Sequence, residues 1–203
     1  MICGVTAVTA GLEPLIDAGR IRERVAELAH RIDQDYHHTT PLLVGILSGA
    51  AIFHADLIRQ VGVDLKIDFI TLSSYRDGSG SPGPIRLIND LESSIEGVHV
   101  VLVEDIVDTG VTASHLIRQL GRQNPASLRV CTLLSKPSRR QVDVPLHYVG
   151  FEVPDRFVVG YGLDYCEKYR NLPYLATLEL APREPADAPW RDSHKHLQEK
   201  ARV

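Results

Sequence analysis

The chain reads as an α/β domain with a mainly parallel central sheet flanked by helices. Two observations predict this class. Residues 42–47 and 99–103 are short runs that are apolar at nearly every position, as strands buried on both faces are. Around and between them, apolar residues recur at helical spacing, so strand and helix alternate along the chain. A length of 203 residues at 44% hydrophobic content suits one domain with a sizeable core.

Taken in order, residues 14–33 place Leu15, Ile16, Ile21, Val25, Leu28, Ala29 and Ile32 near helical spacing, which predicts an amphipathic helix. Residues 42–47 follow as a buried strand, Ser48-Gly49 as a turn, and residues 50–61 as a second helix. Residues 63–72 alternate around Lys66 and Asp68, as a strand does. Residues 73–96 are different. Their centre, from Arg76 to Pro84, is rich in Gly, Ser and Pro with almost no apolar content, and predicts a long loop, read as a lid with a simple disordered connector as the alternative. A strand at 99–103, a helix at 112–120 and a strand at 128–134 restore the alternation. Short strands are expected at 147–151, 157–159 and 174–180. From Ala181 prolines and charges dominate. Residues 1–180 therefore read as the domain, and 181–203 as a loosely docked or disordered extension.

Composition narrows the function classes. A net charge of -4 lacks the basic footprint of a nucleic-acid partner. Cys3, Cys131 and Cys166 form no CxxC pair, a poor disulfide or zinc framework that fits a reducing compartment. No basic leader precedes the apolar N-terminal residues, and no apolar run approaches the roughly 20 residues that cross a bilayer. A soluble, cytoplasmic protein is expected. His37-His38 and His194-x-His196 lack convincing metal spacing.

The chemistry concentrates in Val101-Leu102-Val103-Glu104-Asp105-Ile106-Val107-Asp108-Thr109-Gly110-Val111-Thr112. An apolar strand delivers two adjacent carboxylates, and three residues later Asp108 opens a Thr-Gly-x-Thr loop that runs into a helix. Hydroxyls and free N–H groups at a helix start suit a phosphate. Glu104 and Asp105 would repel that phosphate, yet they accept hydrogen bonds from vicinal hydroxyls or hold Mg²⁺. Hydroxyls beside a phosphomonoester describe a phosphorylated sugar such as ribose 5-phosphate. An aspartic protease would need an all-β setting for its Asp-Thr-Gly. A haloacid-dehalogenase phosphatase would need aspartates two residues apart, where Asp105 and Asp108 are three apart. An ordinary helix cap accounts for Asp108 or Thr109 but not for two carboxylates leaving a buried strand.

This segment closely resembles the 5-phosphoribosyl-1-pyrophosphate motif of type I phosphoribosyltransferases, in the form found in their 6-oxopurine (hypoxanthine-guanine) branch. Other stretches agree in order. Val44-Gly45-Ile46-Leu47-Ser48-Gly49-Ala50 resembles the pyrophosphate loop, Ser74-Tyr75 opens the mobile loop, and Lys136 follows a strand. The stretch from Phe157 to Tyr165 with that from Tyr169 to Tyr174 is similar to the C-terminal signature. The resemblance covers roughly residues 14–179. It implies the type I phosphoribosyltransferase fold, with a small hood beside the sheet and a mobile active-site loop.

What the resemblance implies for the site is specific. Glu104 and Asp105 would hold the ribose hydroxyls and Mg²⁺; Asp108, Thr109, Gly110, Val111 and Thr112 would surround the 5′-phosphate. Asp108 would also act as general base near N7 of the purine. Ser48, Gly49, Ser74, Tyr75 and Arg170 would contact pyrophosphate, and Asp164 a second Mg²⁺. Lys136 would donate to the purine O6, which an ammonium can do and an adenine amino group cannot use. Phe157 would stack on the purine, with the Val158 backbone on its Watson–Crick edge and Asp164 also on the purine-binding side. Substrates would be a 6-oxopurine and the phosphoribosyl donor, neither nucleic acid nor membrane would be a partner, and a homodimer or homotetramer is expected. Two departures stand out: Ser48 and Val111 occupy positions that are often basic in relatives. The peptide before the glycine of the pyrophosphate loop can be cis in this family. A nucleotide-sensing regulator with the same fold is the rival reading. It would bring a basic face or a DNA-binding module, and neither is visible here.

Overall fold

A computed structural model describes residues 9–74, 85–89 and 91–180. Its elements run β1 (Thr9–Ile16), α1 (Ala18–Tyr36), β2 (Leu42–Leu47), α2 (Ala51–Gln60), β3 (Lys66–Ser74), β4 (Ile85–Asn89), β5 (His99–Val107), α3 (Val111–Gly121), β6 (Ser127–Ser135), a 3₁₀ turn (Pro137–Arg139), β7 (Tyr148–Glu152), β8 (Val158–Val159) and β9 (Leu175–Leu180).

The main sheet has the order β4-β3-β2-β5-β6-β7. β3, β2, β5, β6 and β7 are parallel, and β4 closes the β3 edge antiparallel. The apolar runs are continuous because both faces of this sheet are covered. Along β5, Val101 and Val103 join a core with Val25, Leu28 and Phe53 from α1 and α2, while Val100 and Leu102 pack with Leu116 and Leu120 of α3. Period-two alternation thus serves two cores at once. Each fully buried Val or Leu contributes about 1.5–3 kcal/mol.

A second, smaller sheet, β1-β9-β8, is antiparallel and forms the hood expected from the resemblance. It corrects the reading of the N-terminus. Leu15 and Ile16 belong to β1, not to the helix, which begins only after Asp17. The Asp17 carboxylate accepts hydrogen bonds from Gly19 N (2.9 Å) and Arg20 N (3.0 Å), satisfying helix-start donors that would otherwise be orphaned. The expected loop at 73–96 is corrected too. β3 reaches Ser74 and β4 pairs back on it, Ser74 opposite Ile85. The centre of that segment, Tyr75 included, lies outside the described residues, as does the extension 181–203.

The crossovers position the site. From β2 the chain moves outward to β3; from β5 it moves the other way, to β6 and β7. The loops after β2 and β5 therefore diverge from a common crevice at the carboxyl ends of adjacent parallel strands, where open α/β sheets take their ligands. No helix among the described residues is long and apolar enough to cross a membrane.

Candidate active site

Strand β5 runs to Val107, four residues past the expected end at 103, so Glu104 and Asp105 are strand residues. Adjacent strand residues point to opposite faces, and the two carboxylates meet different neighbours. Asp105 faces the loop after β2. A Cβ on Gly49 would collide with the Asp105 carboxylate, so only glycine lets that loop come so close. Glu104 is 6% exposed and lies within reach of the Arg140 charge.

Both carboxyls are pushed out of their ordinary range. Burial, helped by the neighbouring Asp105 charge and opposed by Arg140, pushes Glu104 up to about 8. Burial likewise raises Asp105 to about 6; hydrogen bonding from the Ile106 N–H (2.9 Å) and the Arg170 charge pull against it, and Asp164 adds to it. Glu104 Oε2 is buried with no hydrogen-bond partner. Buried carboxylates short of positive charge, one with a free acceptor, suit a hard cation or a hydroxyl.

Asp108 follows β5 directly. Gly110 caps α3 with φ +83° and brings no capping side chain; Val111 N makes only a long hydrogen bond to Thr109 Oγ1 (3.4 Å), which leaves the helix start open to an anionic ligand. Segment 139–142 braces this loop: Gln141 N (2.9 Å) and Val142 N (3.1 Å) both donate to Thr109 O. Val111 is 42% exposed at the helix start. Arg139 bridges the loop to its surroundings, with Nε 2.9 Å from Asp108 Oδ1 and Nη1 3.1 Å from Asp155 Oδ1. The first contact is an ion pair without hydrogen-bond geometry, since Asp108 Oδ1 has no hydrogen-bond partner.

The base side of the crevice comes from β6 and β8. Lys136 directly follows β6 with only 6% exposure, and its Nζ donates to Arg156 O at 2.7 Å. Phe157 is 39% exposed, and its ring meets Tyr165 edge-on at 5.5 Å. Val158 is buried in β8, opposite Thr177.

The C-terminal signature meets the pyrophosphate loop, with Gly162 abutting the Gly49 carbonyl. Arg170 pairs with Asp164 at 2.7 Å, donates to Gly162 O at 2.7 Å, and lowers Asp105. The cis peptide is Leu47–Ser48, one bond earlier than the peptide directly before Gly49. Ser48 is exposed at the mouth of the crevice; Ser74 ends β3, and its side chain lies outside the described part. Glu104, Asp105 and Asp164 do not converge as a three-ligand group, and no such group of His, Cys, Asp or Glu exists among the described residues. Asp105 lies between the other two, acted on by Asp164 and itself acting on Glu104. Cys166 is disulfide-bonded, against the reading of the cysteines as a poor disulfide framework. A cavity of about 440 Å³ beyond Tyr161, between α1, α2 and residues 171–173, holds none of the expected site residues.

Sequence reasoning missed Arg139 and Arg140. The only signal for them is their place, three and four residues after Lys136.

A crevice at the sheet's switch point, paired carboxylates and a phosphate-ready loop define a phosphoribosyltransferase, and comparison agrees: the phosphoribosyl transferase domain family matches residues 14–166. The chain belongs to that family. It is 45% identical over 170 residues to the hypoxanthine-guanine phosphoribosyltransferase of Bacillus subtilis strain 168, covering 84% of this chain and 94% of that one. Against the hypoxanthine phosphoribosyltransferase of Escherichia coli K12 the identity is 44% over 171 residues, covering 83% and 96%. A crystal structure of a hypoxanthine-guanine phosphoribosyltransferase from Bacillus anthracis superposes with a TM-score of 0.78 at 42% identity, covering 82% of this chain and 98% of that one. Within the family, the chain falls in the hypoxanthine-guanine phosphoribosyltransferase branch of the pentosyltransferases.

Proposed function

We propose that the chain catalyses Mg²⁺-dependent transfer of the 5-phosphoribosyl group from 5-phosphoribosyl-1-pyrophosphate to N9 of hypoxanthine or guanine, giving IMP or GMP and pyrophosphate. The observation that carries this reading is the pairing of Asp108 and its phosphate-ready loop with Lys136, whose buried ammonium end reaches the segment just before Phe157.

In the reaction the C1′–O bond to pyrophosphate breaks and pyrophosphate leaves with the electron pair. N9 of the base forms the new bond to C1′ as positive charge passes through the sugar. Asp108 accepts the proton that the base sheds at N7, which is general-base help. Lys136, released from the Arg156 carbonyl, donates to O6, and Phe157 offers an exposed face to the purine ring. Loop N–H groups from Thr109 to Thr112 hold the 5′-phosphate. Ser48, Gly49 and Arg170 face the pyrophosphate end, with Ser74 and Tyr75 assigned there from the family pattern.

Mg²⁺ fits the residues present: carboxylate oxygens, those of Asp105 and the partly exposed Asp164 in one neighbourhood, with substrate oxygens completing the shell as this ion prefers. Asp105 and Asp164 would hold one ion, and Glu104 contributes its free oxygen to a ribose hydroxyl or to metal-bound water. Bound there, the metal supplies charge neutralisation for the leaving pyrophosphate.

Turnover with phosphoribosyl pyrophosphate, Mg²⁺ and each purine in turn, with nucleotides resolved by chromatography, tests the reading. Hypoxanthine and guanine should yield IMP and GMP, adenine should be a poor substrate, and excess chelator should stop the reaction. Adenine turnover comparable to hypoxanthine would contradict the role of Lys136. The working form is read as a homodimer or homotetramer, which sedimentation analysis distinguishes from a monomer.

A further inference from the structure

Four cations of the described residues lie at the crevice, and three of them are already claimed. Lys136 is held by the Arg156 carbonyl, Arg139 by Asp108 and Asp155, and Arg170 by Asp164 and the Gly162 carbonyl. Arg140 differs. Its Nη2 donates to Ser135 Oγ at 2.9 Å, which fixes the guanidinium at the end of β6. Its Nη1 is buried and has no acceptor. A buried guanidinium N–H without a partner is costly, so its presence points to an acceptor that arrives with a ligand.

The position of the side chain says which ligand. Arg140 Cδ lies 3.0 Å from where a Cβ on Gly110 would sit, so the stem packs directly beneath the phosphate loop. The same charge reaches Glu104, whose Oε2 is, with Asp108 Oδ1 beside Arg139, a further buried polar atom without a hydrogen-bond partner here. Meanwhile the loop carries an uncharged, 42% exposed Val111 at the helix start. Positive charge for a phosphorylated sugar is thus absent from the loop itself and present just under it.

We infer that Arg140 is the positioning residue for the phosphoribosyl donor, supplying from beneath the loop the positive charge that Val111 does not. This rests on the phosphoribosyl-transfer reading and deepens it by assigning donor affinity, as distinct from base affinity, to a residue outside the loop. A group that both donates and accepts, such as a ribose hydroxyl, would satisfy Arg140 Nη1 and Glu104 Oε2 together.

The test separates donor from base. Arg140→Met keeps the stem and removes the charge, and it should raise KM for phosphoribosyl pyrophosphate about 10- to 100-fold. KM for hypoxanthine should stay within about threefold. Arg140→Lys should recover much of the loss, and adding Val111→Lys to the Met variant should restore donor binding from the outer side of the loop. A donor KM within twofold of wild type, an equal rise in both KM values, or a Lys variant as poor as Met would overturn the inference. If Arg140→Met does not fold, Ser135→Ala frees the guanidinium without removing it and should still raise donor KM several-fold; no rise overturns the inference. Calorimetric titration with ribose 5-phosphate, which needs no turnover, keeps the two readings apart. A wild type that binds ribose 5-phosphate in an Arg140-dependent way but turns over no purine would sink the proposed function alone. A turnover-competent wild type whose ribose 5-phosphate affinity ignores Arg140 would sink this inference alone.

Discussion

Asp108 is the residue on which turnover should depend most. It sits between β5 and the helix start, with one carboxylate oxygen held near Arg139 and no hydrogen bond to that oxygen. Asp108→Ala should lower kcat by about 10²–10⁴, the usual span for a general base. Donor binding should survive better than kcat, because the loop N–H groups and the Gly110 turn remain. Steady-state kinetics on both substrates checks this, and an Ala variant within threefold of wild type would remove Asp108 from its role. The placement of Asp108 was legible because it is written locally, in carboxylates at a strand end before a Gly turn. Arg139 and Arg140 were not. Their roles depend on a 3₁₀ turn, Pro137–Arg139, that folds them back over a loop about 30 residues earlier in the chain, and a surface Arg-Arg pair looks like any solvated charge until that turn is known.

The phosphate loop is an element whose shape rests on one residue. Gly110 adopts φ +83°, and a Cβ there would run into the Val142 carbonyl, which belongs to the segment bracing the loop. Gly110→Ala therefore meets left-handed strain of about 1–2 kcal/mol together with a backbone clash. It should lower Tm and raise donor KM at the same time, measured by thermal unfolding and kinetics. Unchanged donor KM would show that the bracing segment can yield. The buried strands β2, β5 and β6 were readable because covering a parallel sheet on both faces demands unbroken apolar runs. β1 and β4 were not, for physical reasons. β1 holds Gly11 and Pro14, pairs with β9 through two register shifts, and ends in Leu15-Ile16 in phase with the following helix, so its pattern merges into α1. β4 is five residues long at a sheet edge, where short and partly polar strands are usual and periodicity carries little signal.

At the scale of the whole molecule, a net charge of -4 is uninformative about a ligand that is itself highly anionic. The acidity is concentrated where the sheet reverses direction, and it has a cost to stability that depends on pH. Glu104 is raised to about 8 and Asp105 to about 6, each above its ordinary value of 4.5 and 3.8. The folded chain therefore binds more protons than the unfolded chain between these limits. Stability from these two groups is fully present below about pH 4 and is lost as pH rises, first through 6 and then through 8. The unliganded protein should melt at a lower temperature at pH 8.5 than at pH 5.5, the reverse of an acid-labile fold. Glu104→Gln removes the larger of the two burdens. It should flatten that slope and raise Tm at pH 8.5, by about 2–4 °C for each 1 kcal/mol relieved in a chain of this size. Adding Mg²⁺ with phosphoribosyl pyrophosphate should flatten the wild-type slope in the same way, because the ions then face positive charge. Melting curves at both pH values, with and without these ligands, decide the matter. A Glu104→Gln slope identical to wild type would mean that the buried carboxyls are already compensated, and the charge-deficient crevice that draws in metal and donor would have to be abandoned.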